Sequence, residues 1–187
     1  MTIRSRLGTW LLALFGWRVE YTPPPAQKGV VIIYPHTSNW DFVLGVAARM
    51  VLDMRMPWVG KHTLFRWPFA WFMRWLGGVP VDRRSAHGAV EQLQREYDRY
   101  DQMFITMTPE GTRSRSEYWK TGFYHLAHGL KLPLGLATFN YQTRVIYLSH
   151  WITLTGDVER DLETIRGIYR DTHGKYPALA GEIRFRE

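Results

Sequence analysis

Cysteine is absent from all 187 residues. Its absence excludes disulfides, thiol nucleophiles, zinc–thiolate sites and iron–sulfur clusters, and leaves the redox compartment open. No run of about 18 uninterrupted apolar residues occurs, so no transmembrane helix is predicted. There is no internal repeat, no linker, no low-complexity tract, and no serine in a G-x-S-x-G nucleophile elbow. Acidic residues are the minority sign: 17 Asp+Glu stand against 24 Lys+Arg, a net charge of +7. A basic chain favours an anionic partner, which leaves nucleic acid, acidic lipid and phosphate-bearing substrates as classes.

What is present points to one folded domain. Hydrophobic residues make up 45% and charged residues 22%, the balance of a globular chain. At this length a single domain buries roughly 70% of its unfolded surface, so no covalent or metal staple is required. The segment Met1 to Trp17 mixes Arg4 and Arg6 with Leu7, Trp10, Leu11, Leu12, Leu14, Phe15 and Trp17. It reads as an amphipathic helix within residues 1–25, either packed on its own domain or docked at a membrane surface. No small-residue cleavage site follows it before Pro23-Pro24-Pro25, so a cleaved signal peptide is not expected.

Beyond the prolines, Gly29-Val30-Val31-Ile32-Ile33-Tyr34 is a continuous β-rich run typical of a buried strand. Apolar spacing predicts a helix over Asp41 to Met54, a short strand over Pro57 to Lys61 and an aromatic helix over Phe65 to Leu76. A strand-like stretch over Gly78 to Arg83 and a polar helix over Ala86 to Tyr100 follow. Next come a strand over Met103 to Thr108 and a short helix over Gly122 to Leu130. Strands over Leu132–Tyr141 and Arg144–Leu154 and a last helix over Asp157–His173 complete the chain. This alternation predicts a single α/β domain, a mostly parallel mixed sheet flanked by helices.

The chemistry-bearing residues fall at predicted strand ends, where open α/β sheets place their sites. His36 follows the first long strand, and Asp41 opens the next helix. A turn that folds Asp41 back onto the imidazole makes His36 a candidate general base, since a carboxylate on one ring nitrogen fixes the tautomer and raises the basicity of the other. The plainer alternative is a loop histidine beside a first-turn dipole partner. Pro109-Glu110-Gly111-Thr112-Arg113-Ser114 follows another strand, with a glycine, hydroxyls and a guanidinium fork suited to phosphate. Lys61 and Arg83 stand at two further strand ends. No third metal ligand lies at a recognisable spacing from His36 and Asp41, so no metal is expected.

Taken together and in this order, these segments resemble the glycerolipid acyltransferase family, the 1-acyl-glycerol-3-phosphate acyltransferases and their relatives. His36 and Asp41 meet the family's H-x-x-x-x-D motif. Gly78-Val79-Pro80-Val81-Asp82-Arg83 resembles its glycine–apolar–arginine motif, and Glu110 to Ser114 matches E-G-T-R-S without change. Trp119-Lys120-Thr121-Gly122 resembles its aromatic-Lys-x-Gly segment. The fourth, proline-rich motif survives only as Leu132-Pro133-Leu134, with Leu136 in place of its second proline. Pro35 stands where many members have asparagine.

The resemblance implies transfer of a fatty acyl group from acyl-CoA or acyl-carrier protein to a hydroxyl of a lysophospholipid such as 1-acyl-glycerol-3-phosphate. The donor is a substrate and no cofactor is implied. His36 would act as general base and Asp41 would orient it. Lys61, Arg83, Glu110, Gly111, Thr112 and Arg113 would form the substrate-binding set, with Glu110 orienting an arginine. The resemblance also implies a peripheral place on the cytoplasmic inner face of the cell membrane, with Met1–Trp17 and Phe65–Leu76 as docking segments. The second of these could equally line the acyl tunnel or pack in the core. Other readings are a non-glycerol acceptor such as a lyso-ornithine lipid, and a hydrolytic or non-catalytic lipid-binding relative. A nucleic-acid module using Arg83, Arg84, Arg113 and Arg115 would leave the His/Asp pair idle, and no nucleic-acid motif is present.

Overall fold

The structure is a computed structural model that describes residues 2–81 and 86–186, with residues 86–90 as backbone only. Seven strands form one sheet: β1 (Arg18–Tyr21), β2 (Lys28–Ile33), β3 (Trp58–Lys61), β4 (Gly78–Val81), β5 (Met103–Met107), β6 (Leu134–Asn140) and β7 (Val145–Ile152). Their spatial order is β1-β7-β6-β2-β5-β3-β4. Among the described residues only the β6–β7 pair is antiparallel; every other neighbouring pair is parallel. The expected mostly parallel mixed sheet is therefore the architecture.

β2 lies at the centre, and its alternation sets the two layers. Val30 and Ile32 face one side and Val31 the other, all without solvent exposure. On the Val30 side the core takes in Leu93 and Tyr97 of α4 (Ala86–Asp98), Phe123 and Leu126 of α5 (Gly122–Gly129) and Ile165 and Tyr169 of α6 (Val158–Tyr169). On the opposite side lie α1 (Ile3–Leu14) and α2 (Trp40–Leu52), whose Leu12, Leu44 and Ala47 pack with Phe139 and Ile146. Because β2 runs parallel to both neighbours, with Val30 opposite Ile105 and Leu134, the carboxyl ends of β2, β5 and β6 reach the same edge.

Two expectations are corrected. The N-terminal helix stops at Leu14, and Arg18–Tyr21 is an edge strand parallel to β7; four mostly exposed residues offer no alternation by which to recognise it. The helix expected over Phe65–Leu76 is a 3-10 turn at His62–Phe65 followed by the short α3 (Ala70–Trp75). Pro68 accounts for the break, since it lacks an N–H and turns the preceding residue away from helical angles.

α1 packs through its small side chains. Ser5 Oγ donates to Val51 O at 3.0 Å. A Cβ added at Gly8 would lie 2.9 Å from Ala47 O and from Val51 N and 2.8 Å from Met50 Cβ, so this contact is nearly backbone against backbone. Ile3, Leu7, Trp10 and Leu14 of this helix, and Phe15 just after it, are left exposed. Gly8→Val should therefore separate α1 from α2 despite any gain in helix propensity. We expect a loss of about 1–3 kcal/mol in urea unfolding; an unchanged midpoint would show that α1 does not depend on this contact.

Candidate active site

His36 sits in the loop between β2 and α2, and Asp41 in the first turn of α2. The five-residue separation closes because the carboxylate folds back over its own loop. Asp41 Oδ2 accepts from Thr37 N and Ser38 N, each at 3.0 Å, and lies 3.0 Å from His36 Nδ1. A carboxylate can only accept, so this contact places the imidazole proton on Nδ1 and leaves Nε2 as the free base. The other oxygen, Oδ1, accepts from Tyr141 Oη at 2.6 Å. Asp41 is buried, and four donors together compensate its removal from water.

Tyr141 follows β6 and is carried to the same sheet edge. Trp17 packs edge-on against its ring at 4.9 Å, and Tyr141 N donates to His173 O at 2.8 Å. Burial and the adjoining Asp41 hold its phenol far above the ordinary range, so it stays a neutral donor. Tyr141 escaped the motif reading. The available signal was its place at the end of a predicted strand, one edge with the others.

The second loop leaves β5 and turns at Gly111, whose φ of +67° favours glycine. The expectation that Glu110 orients an arginine, or belongs to the substrate-binding surface, is corrected. Glu110 is 1% exposed. Its Oε2 accepts from His36 N at 2.7 Å and its Oε1 from Gly181 N at 2.9 Å. It is a tie between the histidine loop, its own loop and the C-terminal segment. Tyr34 Oη reinforces that tie by donating to Gly181 O at 2.8 Å. Burial raises the Glu110 pKa, opposed by the two backbone donors.

His36, Lys61, Gly111, Thr112 and Arg113 line one cleft of about 720 Å³, within the range of small-molecule sites. Thr112, Arg113 and Lys61 are exposed at it. Away from these groups its wall is largely apolar, including Ile33, Phe42, Leu52, Met56, Leu76 and Phe139. Arg49 also reaches this cleft, anchored by Nη1 to Leu76 O at 2.8 Å. The expected site residue Arg83 lies outside the described residues.

Glu110→Gln replaces one acceptor by an amide donor, leaving either His36 N or Gly181 N without a partner. The expected loss is about 1–3 kcal/mol of stability. The titration has a definite sign: because the folded pKa is raised from the ordinary 4.5, its contribution to stability is full below that value and is lost as pH rises through the folded pKa. Wild-type stability should fall as pH rises from 4.5 through the folded pKa, and the variant should lack that fall. Urea midpoints measured at a series of pH values above 4.5 check both; parallel profiles would overturn the assignment.

Two comparisons place this geometry among known proteins. The Acyltransferase family profile matches residues 18–137, which hold the histidine loop, the Glu110 loop and the strands that carry them. The chain is 32% identical over 151 residues to the 1-acyl-sn-glycerol-3-phosphate acyltransferase of Haemophilus influenzae (strain ATCC 51907 / DSM 11121 / KW20 / Rd), a match covering 75% of this chain and 61% of that relative. The chain thus spans about three-fifths of the length of the relative it matches. With the profile covering well over half of its length and both loops inside it, the chain belongs to the acyltransferase family.

Proposed function

We propose that this protein transfers a fatty acyl group from an acyl-thioester, acyl-CoA or acyl-carrier protein, to the hydroxyl of a lysophospholipid such as 1-acyl-glycerol-3-phosphate. The observation that carries the reading is the His36–Asp41 pair, 3.0 Å apart, at a cleft whose wall is otherwise largely apolar. The apolar wall suits an acyl chain; Lys61 and Arg113 suit a phosphate. The relative from Haemophilus influenzae bears the name of an enzyme acting on 1-acyl-sn-glycerol 3-phosphate, which supports this choice of acceptor.

In the proposed reaction His36 Nε2 takes the acceptor hydroxyl proton as its oxygen attacks the thioester carbonyl. Asp41 holds Nδ1–H and stabilises the imidazolium that results. A carbon–oxygen ester bond forms, the carbon–sulfur bond breaks, and the proton passes from Nε2 to the departing sulfur. With no cysteine in the chain, direct attack needs no thiol-linked acyl-enzyme. Arg113 and Lys61 would hold the acceptor's phosphate, with Arg83 as a further cation for that group.

Amphiphilic substrates bring the enzyme to a lipid surface. No helix among the described residues is long and apolar enough to cross a membrane. Exposed aromatics are instead concentrated around α3, where Trp67 is 91%, Trp71 71% and Trp75 72% exposed, with Arg66 and Arg74 beside them. Such a mixture suits the headgroup layer on the cytoplasmic face of the cell membrane. The sequence left open whether this segment docks on a membrane, lines the acyl tunnel or packs in the core; its tryptophans are exposed, and its Met73 and Leu76 line the cleft.

A mass-spectrometric transfer assay offering both donors against a lysolipid panel tests the reaction. His36→Ala should lower kcat by roughly 10²–10⁴-fold with the fold retained, at some cost in Tm because Asp41 loses one of its four donors. A wild-type chain releasing only free fatty acid would favour hydrolysis, and a product from lyso-ornithine lipid alone would change the acceptor. Sedimentation with vesicles containing anionic lipid tests the surface. The pair Trp71→Ala and Trp75→Ala should weaken binding at least about tenfold, as loss of two buried indoles implies; equal partitioning would remove α3 from the docking role.

A further inference from the structure

Beside the main cleft lies a smaller, polar pocket of about 350 Å³, lined by Thr37, Ser38, Asn39, Trp40, Arg113, Lys175 and Tyr176. Arg113 and Asn39 line both cavities, so the two meet at the arginine of the Glu110 loop. Lys175 comes from the C-terminal segment, beyond residues 18–137 matched by the family profile. None of the sequence motifs includes it.

Lys175 is held in place by its neighbours on both sides. Gly174 is seated so closely on the histidine loop that an added Cβ would lie 2.8 Å from Thr37 Oγ1 and 2.9 Å from Pro35 Cγ. Tyr176 N donates to the same Thr37 Oγ1 at 3.2 Å. Its ammonium lies 5.5 Å from the Trp40 ring centroid and 5.6 Å from that of Tyr176. These aromatic faces hold the cation without neutralising it. Elsewhere the surface arginines Arg18, Arg99, Arg166 and Arg184 pair with glutamates. Lys175 and Arg113 have no carboxylate partner among the described residues. Two uncompensated cations, a serine hydroxyl and an asparagine amide around one polar pocket recognise a phosphate ester.

We infer that Lys175 and Arg113 form a phosphate subsite next to the reaction centre, to which the C-terminal segment contributes the lysine. This rests on the acyl-transfer reading for its substrates. Two of them carry the required chemistry: the phosphate of the acceptor, and the phosphopantetheine end of the donor. The acceptor's phosphate is only a few bonds from its free hydroxyl, so bound against Thr37 and Ser38 of the histidine loop it would keep that hydroxyl close to His36. The donor's phosphate would instead anchor the start of the arm that carries the thioester.

The test uses the full chain with Lys175→Gln and Lys175→Arg. Calorimetric titration with glycerol 3-phosphate and, separately, with CoA reads the subsite without turnover; steady-state kinetics then gives KM for acceptor and donor. We expect Lys175→Gln to weaken one probe roughly tenfold, in line with loss of one charged hydrogen bond. KM for the corresponding substrate should rise alone, Lys175→Arg should recover most of the loss, and Tm should hold. An effect on glycerol 3-phosphate identifies the acceptor as occupant, and one on CoA the donor. Equal affinity of wild type and Lys175→Gln for both probes, or no binding of either to wild type, would overturn the subsite. If the probes bind as expected but no acyl product forms, the acyl-transfer reading falls and the phosphate subsite stands.

Discussion

Glu110 is the contact on which the site's geometry depends. Its carboxylate is out of water, yet its two oxygens receive backbone N–H groups from His36 and Gly181, 74 and 71 residues away in sequence. A side chain taken into the interior is kept only where its hydrogen bonds are complete. The consequence is mutual constraint: the histidine loop cannot shift without exposing Glu110, and neither can the C-terminal segment. His36 is thereby fixed twice, by Glu110 through its backbone and by Asp41 through its ring. Asp41 holds the imidazole against rotation, and Glu110 holds the loop that carries it.

The sheet explains why loops so distant in sequence can share these bonds. β2 and β5 are adjacent and parallel, so the residues that follow them emerge side by side. β6, the other neighbour of β2, delivers Tyr141 to Asp41 from the opposite flank. β3 brings Lys61 to the same edge. A mostly parallel arrangement concentrates strand ends, and so backbone N–H groups and polar side chains, on one edge. The apolar cleft beside them is a product of the other layer, where α2 and the strand faces leave Phe42, Leu52, Met56 and Phe139 around open space.

Much of this was legible in the chain. Strand-like runs such as Val30–Ile33 and the helical spacing after Asp41 indicate α/β alternation because burial on one or both faces writes a period into the sequence. The loop residues His36, Asp41 and Glu110–Arg113 stood out by type and position. What remained illegible was partnership. Nothing local distinguishes a glutamate that holds an arginine from one that receives two backbone amides, since the difference lies in Gly181, contributed by the far end of the chain. Tyr141 and Lys175 were hidden for the same reason: Tyr141 meets Asp41 across 100 residues, and the segment that carries Lys175 meets Thr37 through Tyr176 across 139. β1 escaped because an edge strand of four residues buries too little to leave a pattern.

α3 joins the two halves of the proposed chemistry. Its six residues are too few for stability by themselves, and they are held by contacts rather than by helix propensity. Leu76 O accepts from Arg49 and from the Trp58 indole, and Arg74 lies over the Phe65 ring at 5.8 Å. So anchored, the helix turns Trp71 and Trp75 outward while Met73 and Leu76 border the cleft. A substrate with an acyl chain must leave the bilayer without exposing that chain to water, at roughly 0.8 kcal/mol per methylene group. If α3 docks as proposed, one short element apolar on both its outer side and its cleft side would shorten the aqueous step to the thickness of one helix. In the proposed reaction the acceptor, its phosphate held by cations at the polar end, presents its glycerol hydroxyl to His36.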